Sequence, residues 1–83
     1  MYEIVLSDKA KKQLSKLSSD LQTRIGLVLE RIKVRPHHFV KRKQGTFYYI
    51  LRSGDYRIIL DIKNNELVIL IIEIGPRGSV YKK

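Results

Sequence analysis

The sequence predicts an α+β sandwich, with two helices laid on one face of a small sheet. Three observations predict it: a period of two at the N-terminus, two stretches of helical period before Pro36, and three strand-like runs separated by turn residues in the second half. The order is strand, helix, helix, strand, strand, strand, with no internal repeat and no linker, so residues 1–83 form a single domain.

Tyr2, Ile4 and Leu6 alternate with Glu3, Val5 and Ser7, which predicts a strand over about residues 2–6. Ser7 or Asp8 caps the first helix. In it Ala10, Leu14 and Leu17 recur at helical spacing while Lys9, Lys11, Lys12 and Lys16 take the other faces. Ser18-Ser19-Asp20 breaks this helix, and Ser19 with Gln22 reads as a capping box that opens a second one. Leu21, Ile25, Val28 and Ile32 form its apolar stripe, and Pro36 disfavours helical geometry at Arg35, so it ends near Val34.

Residues 36–45 have no clear period and read as a loop, with consecutive cations at Lys41, Arg42 and Lys43. Strand-like runs over 47–52 and 56–62 flank Ser53-Gly54-Asp55, a hairpin connection whose glycine supplies positive φ. Asn64-Asn65 provides the next turn, and residues 67–74, apolar on both faces through Ile72, read as an interior strand. The result is a three-stranded antiparallel meander. Helices cover one of its faces, and a chain this short has little left to cover the other.

The 83 residues carry 17 Lys and Arg against 8 Asp and Glu, a net charge of +9. A field of that size concentrates polyanions, nucleic acid foremost. With no cysteine, disulfides, thiolate zinc sites and thiol nucleophiles are excluded. The N-terminus lacks the basic and apolar regions of a signal peptide, and no apolar run approaches the roughly 18 residues of a membrane span, so a cytoplasmic protein without membrane contact is expected. Adjacent His37 and His38 share no face, no carboxylate joins them, and no nucleotide or nucleophile motif is present; neither metal nor cofactor is expected.

Alternation within 56–62 puts Tyr56, Ile58, Leu60 and Ile62 on the core face, and Arg57, Ile59 and Asp61 on the open face. A mid-sheet arginine there either pairs with Asp55 or Asp61 or binds something. Arg77, behind Gly75-Pro76, and Tyr81 in the tail are either a solvated terminus or the parts that bind phosphate and stack a base.

Arg52-Ser-Gly-Asp-Tyr-Arg-Ile-Ile59, followed by Ile74-Gly-Pro-Arg77 and Val80-Tyr81, resembles the hairpin and C-terminal pattern of the RelE/ParE toxin superfamily, in its RelE-like branch. The Ser7-Asp-Lys-Ala10 opening is also similar, and the likeness covers almost the whole chain. It implies a RelE-like, microbial-ribonuclease-type fold and the toxin of a type II toxin-antitoxin system. The implied activity is ribosome-dependent endonucleolytic cleavage of mRNA, without metal, through the RNA's own 2′-hydroxyl. The implied partners are the ribosome, mRNA and a RelB-like antitoxin bound as a hetero-oligomer.

By this resemblance Arg57 and Arg77 match the phosphate-stabilising arginines and Tyr81 the tyrosine that orients the base. Where the RelE pattern carries strand lysines, Tyr48 and Ile50 stand here, so the general base is missing from its place. Lys41, Lys43, Arg52 and Lys82 are the further cations expected to contact RNA. The alternatives are inhibition of DNA gyrase, as by ParE toxins, or a degenerate toxin that only binds antitoxin or RNA.

Overall fold

A computed structural model describes residues 1–76. Its elements run β1 (Glu3–Leu6), α1 (Asp8–Ser15), α2 (Ser19–Ile32), α3 (Pro36–Phe39), β2 (Lys41–Arg42), β3 (Tyr49–Ser53), β4 (Tyr56–Lys63) and β5 (Val68–Pro76). The strands form one sheet in the order β1-β5-β4-β3-β2. The antiparallel meander is as the sequence predicts. β1 pairs with β5 in parallel, an arrangement that needs a crossover connection, and the intervening segment with its helices supplies it.

The amphipathic stripes place the helices. Ala10 of α1 and Ile25, Leu29 and Ile32 of α2 pack with Leu51, Ile58, Leu60, Ile62, Ile69, Ile71 and Ile74 into one core. Leu29 lies outside the predicted stripe, whereas Leu21 and Val28 are only half-buried. Of the two candidate caps, Ser7 is the one that caps α1, its hydroxyl accepting from the Ala10 amide at 3.0 Å. The capping box at Ser19 is not formed. Ser18 is the cap, accepting from the Leu21 amide, and Gln22 donates instead to the Leu17 carbonyl.

Beyond the end of β1, α1 protects the edge of β5. The Ser7 hydroxyl donates to the Ile72 carbonyl at 2.7 Å, and Gln13 Oε1 accepts from the Ile74 amide at 2.7 Å. Edge groups that would otherwise invite a foreign strand are thereby satisfied. Lys9 adds an ion pair to Glu73 at 3.4 Å.

Three local expectations are corrected. The segment 36–45 is not a plain loop: Pro36 starts the single turn α3, as a residue with no amide hydrogen and a preset φ readily does, and β2 comes next. β3 begins at Tyr49, because residues 44–47 still belong to the β2–β3 turn. The β4–β5 turn occupies residues 64–67 and places its left-handed residue at Leu67 (φ 55°), not at an asparagine. The β3–β4 connection does use Gly54 at φ 60°, the first position of a two-residue turn, where type II′ geometry demands glycine.

A bulge sets the register at the far end of the sheet. Ile59 opposes Glu73 while Leu60 opposes Ile71, so Ile72 is the extra residue and the alternation of β5 changes phase there. Ile69, Ile71 and Ile74 consequently share the core face, and Gly75 comes directly opposite Arg57.

A cationic pocket on the open face of the sheet

Tyr56, Ile58, Leu60 and Ile62 of β4 belong to the core or pack against it, while Arg57 and Ile59 stay outside that cluster, as alternation predicts. Although it falls on the face without helices, Arg57 is only 5% exposed. Its cross-strand neighbours are Arg52 on β3 and Gly75 on β5. Glycine presents no side chain beside the guanidinium, and Arg52 places a like charge on the other side. Like charges directly opposed across strands are unfavourable, and an anion that contacts both guanidiniums is attracted by both. Asp61, one of the two carboxylates expected to compete for Arg57, pairs with Lys63 at 3.5 Å.

Arg57 is part of the wall of a solvent-open pocket of about 550 Å³, whose described lining is Phe39, Lys41, Arg42, Lys43, Gln44, Ile50, Arg52 and Arg57. Among the described lining residues five of the eight are cations, and none is a carboxylate. The volume falls within the roughly 300–1,000 Å³ of small-molecule sites.

Local chemistry holds the walls. Lys41 opposes Ile50 in the register of β2 on β3, so it shares the sheet face of Ile50 and Ile59. The Lys43 amide donates to the Tyr48 carbonyl at 2.8 Å and extends the ladder by one step. Thr46 braces the turn: its hydroxyl donates to the Lys43 carbonyl at 2.9 Å and accepts from the Tyr48 amide at 3.1 Å. Arg42 Nε donates to the Thr46 carbonyl, with its guanidinium 5.8 Å from the Phe47 ring centroid and 5.9 Å from that of Tyr49. At the opposite end of α3, His37 Nε2 donates to Asn64 Oδ1 at 3.0 Å, and the Tyr2 hydroxyl donates to the same oxygen at 2.9 Å.

The structure therefore brings together four of the cations singled out in the sequence: Lys41, Lys43, Arg52 and Arg57. Arg77, Tyr81 and Lys82 lie outside the described residues. Phe39, Arg42 and Gln44 were missed as lining residues. The run 41–43 already signalled Arg42; Phe39 had no signal beyond a proline three residues earlier, which marks the start of a turn without showing where its side chains go.

The fold is that of RelE toxins. A chain of the archaeal RelE–RelB complex from Pyrococcus horikoshii matches with a TM-score of 0.79 and 27% identity over 93% of this chain and 96% of that one. A chain of the intact Escherichia coli RelBE toxin-antitoxin complex matches with a TM-score of 0.80 and 22% identity over 94% and 99%. The isolated E. coli RelE toxin gives 0.80 and 24% over 98% and 92%. No curated protein matches in sequence. Fold and motifs define a toxin of the RelE/ParE superfamily, on its RelE-like side. More specifically, residues 4–81 match the family described as the ParE toxin of the type II toxin-antitoxin system parDE, and the chain belongs to that family.

Proposed function

We propose that this toxin cleaves mRNA on the ribosome through the RNA's 2′-hydroxyl, and that the cationic pocket is where it does so. The observation that carries the reading is the pocket's charge: its described lining residues include five cations, buried Arg57 among them, and no carboxylate. In such a cleavage the 2′-oxygen bonds to phosphorus, the bond to the 5′-oxygen breaks, and a cyclic phosphate and a 5′-hydroxyl result. Negative charge grows on the phosphoryl oxygens as this happens. Preorganised donors there stabilise the transition state more than the ground state.

Arg57, held by burial, and Arg52 beside it supply forked donors suited to two phosphoryl oxygens. Lys41 brings its ammonium to the face where the RelE pattern has strand lysines, from the neighbouring strand. Lys43 and Arg42 hold the phosphates on either side. Arg77 as a second phosphate ligand, Tyr81 as the residue orienting the base and Lys82 as a backbone contact complete the reading. The exposed lysines of α1 attract RNA at long range. The reaction belongs in the cytoplasm, where ribosomes are. No helix among the described residues is long and apolar enough to cross a membrane. The structures of RelE with RelB support a partner of the same kind, an antitoxin that lays an acidic or amphipathic segment over this basic surface and forms a hetero-oligomer with the toxin.

The test adds purified protein to translating ribosomes and maps mRNA 5′ ends by primer extension. Wild type should cut at defined codon positions, and Arg57→Ala should reduce the rate by roughly 10²- to 10³-fold, the usual loss when one charge-stabilising donor is removed. Arg57→Lys, which keeps the charge and loses the fork, should fall between the two. Wild type that leaves mRNA intact but blocks gyrase supercoiling would replace this reading with gyrase inhibition.

A further inference from the structure

The aromatic ring in the pocket has no role in phosphate chemistry. Phe39 is 40% exposed, although a phenylalanine gains most by full burial. Its neighbours show that the exposure is built in: Pro36 is buried, Val40 packs against the core, and Phe39 between them does not belong to that cluster. His38 braces it, ring centroids 4.9 Å apart and planes at 84°. Arg42, the cation that engages aromatic rings nearby, is directed to Phe47 and Tyr49. A half-exposed ring, held by α3 and set among Lys41, Lys43, Arg52 and Arg57, matches the pairing of aromatic platform and cationic groove found where single strands bind.

Resting on the proposal that the pocket binds RNA, we propose that Phe39 is a base-stacking subsite, which takes one unpaired nucleobase of a single-stranded RNA while its phosphates lie on Arg52 and Arg57. The subsite selects unpaired RNA, because a duplex keeps its base faces stacked inside and offers none to a side chain. It is sequence-tolerant, since every base has a π-face and no donor or acceptor reaches it from the ring.

The test is a fluorescence-anisotropy titration of the full-length protein with a short single-stranded 2′-O-methyl RNA, which cannot be cut because its 2′-oxygen is blocked. Phe39→Leu, which keeps apolar bulk, and Phe39→Ala should weaken binding by roughly 5- to 100-fold, and Phe39→Tyr should bind as wild type does. An abasic residue scanned along the probe should cost wild type the same factor at one position and cost Phe39→Leu nothing further there. A structural role for Phe39 would leave the abasic penalty in place. The salt dependence should be unchanged in Phe39→Leu, because no phosphate contact is lost.

Phe39→Leu binding as tightly as wild type, or an abasic penalty undiminished in that variant, overturns the subsite. If binding still requires Arg52 and Arg57, only the subsite falls. If wild type does not bind the probe, or binds it without need of those arginines, the RNA reading of the pocket falls too.

Discussion

Changing one pocket cation alters how steeply RNA affinity depends on salt, and the structure sets the size of the change. Each phosphate neutralised on a single strand releases condensed counterions and contributes about −0.7 to the slope of log affinity against log salt. If all five cations lining the pocket engage phosphates, the slope is about −3.5, and affinity falls roughly 100-fold between about 50 and about 200 mM salt. Arg52→Ala removes one contact and should flatten the slope by about 0.7; Lys41→Ala should do the same, and the double variant should flatten it by about twice that. Both residues are exposed, so the fold should survive either change. The assay is the anisotropy titration repeated at several salt concentrations. Lys11→Ala and Lys12→Ala, exposed on α1, serve as the comparison. The reasoning is refuted if the two pocket variants keep the wild-type slope while the helix variants flatten it, because the phosphates would then lie on α1.

The packing gives further predictions. Leu60 is fully buried, and Leu60→Ala should cost about 2–5 kcal/mol, seen as a lower urea midpoint at unchanged m-value. Gln13→Ala leaves the Ile74 amide without its acceptor and should cost about 1–3 kcal/mol, with faster hydrogen exchange at Ile74. Gly54→Ala should destabilise the fold, and Leu67→Gly should not. Alanine at Gly54 meets no neighbour but must adopt a left-handed backbone at a cost of roughly 1–2 kcal/mol, lowering Tm. Leu67 already bears that strain while half-exposed, so glycine there relieves it, less the roughly 0.5–1 kcal/mol of glycine's own entropy, and Tm should hold or rise.

Much of the fold was legible because local period reports which face a residue joins. Ala10, Ile25 and Ile32, and Ile58, Leu60 and Ile62 on their strand, are core residues in the sequence and in the structure. The cations of the pocket were legible as types, since a mid-strand Arg57 and a run at 41–43 are anomalous wherever they fall. What was not legible depends on contacts between distant segments. Arg57 is buried with Gly75 opposite it, and that pairing depends on a bulge at Ile72 that leaves no mark in a run of aliphatic residues. Ser18 displaces Ser19 as cap because both have the right chemistry and only the backbone chooses between them. Phe39 reads as another apolar residue until α3 and β2, each too short to show a period, turn it out of the core.

The claim that RNA binds this pocket is tested most directly by mapping amide chemical shifts of the full-length protein during titration with the uncleavable 2′-O-methyl strand. The account predicts that perturbations gather at Phe39, residues 41–44, Ile50, Arg52 and Arg57, the residues lining the pocket, with little change along α1. Perturbations centred on Lys11, Lys12 and Lys16, with the pocket amides unmoved, would contradict it.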